Sequence, residues 1–269
     1  MKDAYENSSF DSLANLAIDP EVLAKELAAE IDGDPLDAIE LEESGADQLK
    51  VSKECEAGLR WLKAGPEERL QGLRVFCEHR DPRALPLLVP LLQEPSPVVR
   101  MSAVYALGRN PCPRAVDILL QMLRSDSNAY VRRATAWSLA NYSNSSVLKP
   151  LVQSLEQDVA AVRLWASSSL AEIGSNSKEK AEIAANELLK SLLIDVEPGV
   201  RSNCIWSLGR LYDNLSPDLK HEILESIITV LLNDNEPSVR YEARITLEQL
   251  DNPQVQERFK CLVDEGLLI

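Results

Sequence analysis

The sequence has 269 residues, of which 45% are hydrophobic and only 5% are aromatic, and its formal net charge is −15. This acidity argues against a surface that tracks nucleic-acid phosphates and against attraction to an anionic membrane. The five cysteines are odd in number and widely spaced, so they predict no disulfide framework and favour a reducing cytoplasm.

The acidity is concentrated at the N-terminus. Residues 1–50 hold 14 Asp or Glu and 3 Lys, a net charge of −11 (3 − 14), which leaves −4 for residues 51–269. This composition predicts a mostly disordered acidic arm over residues 1–50, followed by a folded domain over residues 51–269. The arm contains two weakly amphipathic pieces, Phe10–Ile18 and Val22–Ile31. Three uses remain open: a solubilising tail, a short helix for a partner, or a segment that folds back over the domain.

A short pattern recurs through the rest of the chain. It begins with Val-Arg, continues with a small residue and ends near a leucine, and its arginines are spaced by 31, 32, 31, 38 and 39 residues. These arginines are Arg69, in a degenerate first copy that lacks the valine, and Arg100, Arg132, Arg163, Arg201 and Arg240. Such intervals are typical of an array in which each repeat is one pair of helices.

The residue sizes within each copy predict one buried helix face. The residue three positions after each arginine is small: Gly72, Ala103, Thr135, Ala166, Cys204 and Ala243. The residue seven positions after it is large: Phe76, Leu107, Leu139, Leu170, Leu208 and Leu247. Because offsets 0, 3 and 7 share a helical face, we expect these residues to form the seam between repeats. We call the helices that carry them the B helices.

A second amphipathic stretch precedes each B helix and predicts an A helix. These stretches are Ala84–Gln93, Ala115–Arg124, Val147–Glu156, Glu182–Leu193 and Leu219–Leu232, with Gln254–Asp264 as a last, unpaired one. Ser96 followed by Pro97 predicts a side-chain cap with proline at the first helical position. The predicted fold class is all-α: a right-handed α-solenoid of about five helix pairs plus caps.

An acidic residue stands five or six positions before each of five arginines: Glu94, Asp126, Asp158, Asp195 and Asp234. Regularly spaced acids and arginines at helix junctions predict a ladder of buried ion pairs that fixes the register between repeats. This interpretation is preferred to an anion-binding stripe.

Offsets 2, 5 and 9 lie to the side of the predicted seam and carry aromatic, arginine and asparagine side chains. They predict a partner-binding strip along the concave surface, made of Tyr105, Arg109, Trp137, Asn141, Trp165, Asn203, Trp206 and Arg210. Aromatic and arginine side chains dominate binding hot spots. The alternative is that the tryptophan rings only cover gaps between repeats.

Catalytic chemistry has few candidates. The chain has two histidines, and only His221-Glu222 has the His-Glu order that a di-iron site of several such pairs would need. Cys112, between two prolines, is the best candidate for an exposed thiol, whereas Cys204 at the seam is expected to be buried and inert. The sequence therefore predicts no catalytic residue, no metal ligand and no cofactor.

Several tracts resemble a known family. DPRALPLLVPLL, VRMSAVYALGRNP, YVRRATAWSLAN, AVRLWASSSL and VRSNCIWSLGRL are similar to HEAT-like repeats grouped with phycobilisome (bilin) lyases, over about residues 65–258. They are most similar to cyanobacterial HEAT-repeat proteins that associate with an A-type iron–sulphur carrier.

The resemblance implies a HEAT-type solenoid that holds a protein partner in its concave groove during iron–sulphur or photosynthetic-antenna maturation. The expected partner is an A-type iron–sulphur carrier or a phycobiliprotein subunit. The alternative is a subunit of a bilin lyase or isomerase. The oligomeric state and the face that binds stay open.

Overall fold

The computed structural model describes residues 45–142, 145–250 and 252–264. The amphipathic pieces of the predicted arm lie outside the described residues, so the arm and its boundary at residue 50 stay predictions. Within the described residues the chain contains helices and turns but no strand. The all-α fold class is confirmed.

The α-helices of the described residues follow one another in this order: α1 Gly45–Trp61, α2 Pro66–Glu78, α3 Leu85–Leu88, α4 Pro97–Arg109, α5 Val116–Ser125, α6 Ala129–Leu139, α7 Leu148–Gln157, α8 Ala160–Gly174, α9 Lys178–Ile194, α10 Pro198–Leu211, α11 Pro217–Asn233, α12 Pro237–Gln249 and α13 Pro253–Asp264. Short 3-10 turns occur at Pro82–Ala84, Val89–Gln93, Pro113–Ala115, Ser145–Val147 and Tyr212–Asn214. The B helices are α2, α4, α6, α8, α10 and α12, and each packs extensively on the next B helix in the chain.

The predicted A helices are recovered as α5, α7, α9, α11 and α13, but the first is wrong as a single helix. Residues 82–93 instead form a 3-10 turn, the four-residue α3 and a second 3-10 turn. Pro86 and Pro90 explain the break, because proline has no N–H and its ring crowds the preceding turn.

The predicted cap at Ser96 is only half right. Pro97 stands in the first turn of α4, but the Ser96 side chain makes no capping hydrogen bond. Side-chain caps occur instead at Asn128, which accepts from the N–H groups of Tyr130 and Val131, and at Ser177.

The seam between repeats is confirmed. All the small residues at offset 3 and all the large residues at offset 7 are buried. The first pair shows why size matters: a Cβ on Gly72 would lie 2.8 Å from the backbone nitrogen of Leu62 and 2.9 Å from the oxygen of Gly58. Only glycine allows α1 and α2 to approach this closely.

The Arg–Asp ladder is also confirmed, and it connects each repeat to the next. Arg100 binds Asp126 of the following turn at 2.8 Å, and the same geometry pairs Arg132 with Asp158, Arg163 with Asp195 and Arg201 with Asp234 at 2.7–2.8 Å. Each of these guanidiniums also donates to the backbone oxygen of its own repeat's acid. One side chain therefore ties two A–B turns together.

The electrostatics of the ladder favour the ionised carboxylates. Burial, the largest single cause, would raise the pKa of Asp126 and Asp195, but the hydrogen bonds from Arg100 and Arg163 together with a backbone N–H and the nearby arginine charges lower both pKa values. The hydrogen bonds of Arg201 lower the pKa of Asp234 in the same way. The ladder is thus built from charged pairs at neutral pH.

Candidate functional site

The side of the B helices that faces away from the seam carries offsets 1, 2, 5 and 9. Three of the four tryptophans of the chain stand at offsets 2 and 5, together with Tyr105. We call the eight predicted partner-binding residues the B-helix strip: Tyr105, Arg109, Trp137, Asn141, Trp165, Asn203, Trp206 and Arg210. All eight are partly or fully exposed. The structure therefore places them on the non-seam side of consecutive B helices; that they bind a partner stays a proposal.

The N-terminal half of the strip is an aromatic pair. The rings of Tyr105 on α4 and Trp137 on α6 have centroids 5.3 Å apart and are tilted by 57°. Trp137 also lies across Gly108, where a Cβ would overlap its ring. Nη2 of Arg133 donates to the Tyr105 hydroxyl at 3.4 Å. Trp137 thus packs against its neighbours with one side and remains half-exposed on the other.

The C-terminal half carries the most open aromatic residue of the strip. Trp206 on α10 is 38% exposed, and the guanidinium carbon of Arg210 lies 5.0 Å from its ring centroid. Arg210 also forms an ion pair of 2.6 Å with Glu172 on α8. The guanidinium covers one face of the indole, and Trp206, Arg210 and Glu172 all stay partly exposed, a combination suited to polar and aromatic contacts at once.

Two strip residues hold neighbouring helices together. The Asn203 amide on α10 donates to the oxygen of Leu164 at 2.9 Å and to the hydroxyls of Ser167 and Ser168 on α8. Nε of Arg109 donates to the backbone oxygen of Glu78 at the end of α2. For these two residues the geometry shows a role in helix packing.

The last two strip residues differ from each other. Asn141 is exposed just after α6. Trp165 is half-buried, and its indole N–H has no hydrogen-bond partner among the described residues.

The sequence reasoning missed three residues beside the strip. Arg133 stands at offset 1 and Glu172 at offset 9, so the helical wheel could have found both. Glu242 stands at offset 2 of α12, the position that Asn203 has in α10. Its carboxyl is half-buried, burial raises its pKa, and its one hydrogen bond among the described residues comes from Thr246 at 3.4 Å. The next B helix after the strip therefore carries a half-buried carboxyl without a cationic partner in the described part of the chain.

One prediction about the cysteines is wrong. Cys112 was predicted to be the exposed thiol, but it is buried, and its backbone N–H donates to the Tyr142 hydroxyl at 3.4 Å. Cys204 is buried as predicted, and burial raises the pKa of its thiol. Cys261 is exposed, and all five cysteines are free. The described residues contain no group of three or more His, Cys, Asp or Glu placed to hold a metal ion.

The helices of the described residues are too short or too polar to cross a membrane.

Comparisons with known proteins agree on the architecture. The chain is 27% identical to importin subunit alpha-1b of Oryza sativa subsp. japonica, over 60% of this chain and 35% of the importin. It thus spans about a third of the length of that curated relative. The structure of the CpcE–CpcF complex of phycocyanin lyase from Nostoc sp. PCC7120 superposes with a TM-score of 0.51 at 24% identity, covering 62% of this chain and 99% of that chain.

A designed armadillo repeat protein in complex with the peptide (KR)4 superposes with a TM-score of 0.55 at 22% identity, covering 72% of this chain and 98% of that chain. At these identities the structural likenesses show the fold alone. The family model for HEAT repeats matches residues 59–140 and 116–209, which together make up more than half of the sequence. The chain therefore belongs to the HEAT-repeat proteins.

Proposed function

We propose that this chain is a non-catalytic binding scaffold that holds a protein partner against its B-helix strip, as an assembly factor or adaptor. The observation that carries the proposal is the exposed Trp206 with Arg210 beside its ring. An aromatic and an arginine that share one exposed site are typical of binding hot spots. The designed armadillo protein, which has a similar fold, is described in complex with a peptide.

The strip residues would divide their roles according to their contacts. Trp206, Arg210 and the exposed side of Trp137 would touch the partner, since each leaves part of its surface open. Asn203 and Arg109 would act as positioning residues, because their hydrogen bonds go to the neighbouring B helix. Glu242 would accept a cationic or hydroxyl side chain of the partner, which would relieve the cost of its burial.

The resemblance in the sequence suggests the biological setting. We infer a cytoplasmic role in cyanobacterial iron–sulphur or photosynthetic-antenna maturation, with an A-type iron–sulphur carrier as the first partner to test. Five free cysteines are consistent with a reducing compartment.

The test is direct binding of the purified chain to a purified A-type carrier, measured by titration calorimetry. Trp206→Ala should weaken binding by roughly tenfold or more, because hot-spot tryptophans contribute at least about 2 kcal/mol. Trp61→Ala is the matched control, since Trp61 on α1 is 36% exposed and lies off the strip. Equal losses in both variants, or none in either, would exclude the strip as the binding surface.

The second candidate function is a subunit of a bilin lyase or isomerase. It is favoured by the fold likeness to the CpcE–CpcF complex, which covers 99% of the compared chain. This candidate requires that the chain promote covalent attachment of a bilin to an apo-phycobiliprotein subunit, alone or with a second HEAT-repeat chain. The appearance of a visible absorption band that survives denaturation would support it. A stoichiometric complex with the iron–sulphur carrier and no pigment transfer would favour the scaffold.

A further inference from the structure

A second surface lies on the turns between A and B helices. In one repeat these turn positions carry apolar residues, whereas other repeats carry polar residues there. At the end of α9 and in the following turn, Leu193 is 57%, Ile194 78% and Val196 80% exposed. In the preceding A–B turn, Val159 is 47% exposed. We call these four residues the turn patch.

The other repeats show that the fold does not need these apolar residues. The position just before the ladder aspartate is Ile194 in this repeat but Ser125, Gln157 and Asn233 in the other aspartate-bearing repeats. The position just after the aspartate is Val196 here but Ser127 and Asn235 in two of them. All of these residues are exposed, so packing does not explain the difference.

One guanidinium brings the two turns together. Arg163 donates from Nε and Nη2 to the carboxylate of Asp195 at 2.7 Å, and from Nη1 to the backbone oxygen of Asp158 at 2.9 Å. Val159 and Val196 directly follow these two aspartates. The ladder therefore joins the two turns that carry these residues: Leu193, Ile194 and Val196 belong to one turn, and Val159 belongs to the turn before it.

The same edge continues into a cleft. A cavity of about 520 Å³ lies between the ends of α5 and α7, and Val159 lines it together with Leu123, Pro150 and Gln153 and with the charged side chains of Arg124, Arg132 and Asp158. Because Val159 belongs to both the turn patch and the lining of this cavity, a segment that covers the turn patch can continue into the cavity.

The rim of the turn patch is acidic. Glu197 and Glu156 are exposed beside it. Glu187 lies 2.8 Å from Lys190, the one lysine of α9 after its first turn. Glu187 raises the pKa of Lys190, and Glu156 contributes in the same direction, so both carboxylates lie near that lysine. Glu187 and Glu156 thus lie near one lysine, and Glu197 lies near Arg163, whose charge is already paired with Asp195.

We propose that the turn patch is a second docking surface, separate from the B-helix strip, for a partner segment that presents two or three aliphatic side chains flanked by lysine or arginine. The patch exposes on the order of 500 Å² of apolar surface, which is the size of functional patches on monomers. A stable dimer needs roughly 800 Å² from each copy. The exposed carboxylates of Glu156 and Glu197 beside the patch favour a basic segment over a second copy of this chain.

The experiment uses two labelled helical peptides of equal length as probes, one of leucine and lysine and the other of leucine and glutamate. Binding to the full chain is followed by fluorescence anisotropy. The variant Ile194→Ser/Val196→Asn installs residues that other turns carry at these positions. Its control, Asn233→Ser/Asn235→Ser, changes the same two positions of the next repeat. Both variants should unfold at the temperature of the parent, because all four side chains are exposed.

We expect the parent and the control to bind the leucine–lysine peptide, and the patch variant to bind it at least about tenfold more weakly. Trp206→Ala should bind this peptide like the parent, which separates the turn patch from the proposed function of the strip. Equal binding by parent and patch variant would overturn the proposal. So would equal binding of the leucine–glutamate peptide, or a concentration-dependent dimer that the patch variant abolishes.

Discussion

Removal of the Arg163 guanidinium tests whether the Arg–Asp ladder stabilises the contact between repeats. Arg163→Leu keeps most of the aliphatic volume but removes three donors, two to the Asp195 carboxylate and one to the oxygen of Asp158. The Asp195 side chain is only 6% exposed and keeps the Glu197 N–H, at 2.9 Å, as its remaining donor among the described residues.

The magnitude follows from that geometry. A fully buried charge that loses its partner costs about 3–5 kcal/mol. The remaining hydrogen bond and the 16% exposure of the Arg163 side chain reduce this, so we expect a loss of about 2–3 kcal/mol in the free energy of unfolding. Arg163→Leu/Asp195→Asn removes the unpaired charge as well, and it should be more stable than the sum of the single losses by about 1–2 kcal/mol.

Urea denaturation followed by helical circular dichroism measures these differences. Because repeat arrays can unfold in parts, hydrogen exchange of the amides of α8 and α10 should be measured in parallel. Lys190→Met is the control: it breaks the exposed pair with Glu187 and should cause no resolvable loss.

A loss below about 0.5 kcal/mol for Arg163→Leu, with no coupling to Asp195→Asn, would refute the reasoning. The ladder would then contribute no more than exposed ion pairs do, and the apolar seam alone would hold the repeats in register.

Three further outcomes are expected. The pKa values of Asp126, Asp195 and Asp234 are lowered in the folded chain, so their contribution to stability is present above the unfolded pKa near 4 and is lost as the pH falls through the folded values. Urea titrations should therefore show a falling free energy of unfolding below about pH 4, with a shallower fall in Arg163→Leu/Asp195→Asn. Gly108→Ala should cost about 1–3 kcal/mol in thermal unfolding, because its Cβ would overlap Trp137, and the loss should shrink when Trp137 is replaced by Leu. A thiol reagent should label Cys261 at once but Cys204 only on unfolding, whereas fast labelling of Cys204 in the folded chain would contradict its burial.

Much of the fold was predictable because the same residue pattern recurs in every repeat. The small residue at offset 3 and the large residue at offset 7 recur in six copies, and helical geometry alone places both on one face. The regular acid before each arginine likewise predicted an ion-pair ladder. Local chemistry that occurs once was harder to predict: the break of the first A helix at Pro86 and Pro90, and the missing cap at Ser96, each depend on one local geometry.

For the site, sequence spacing determined which helix face carries Trp137, Asn203 and Trp206, but not what each side chain contacts. Only the tertiary structure decided that Asn203 binds the neighbouring helix while Trp206 stays open, because both sit on the same face and differ only in the residues opposite them. The hydrogen bond from the Cys112 backbone to the Tyr142 hydroxyl likewise joins residues that are 30 positions apart in the chain. Helical periodicity fixes the direction of a side chain within its own helix, whereas its partners are fixed by how successive repeats pack.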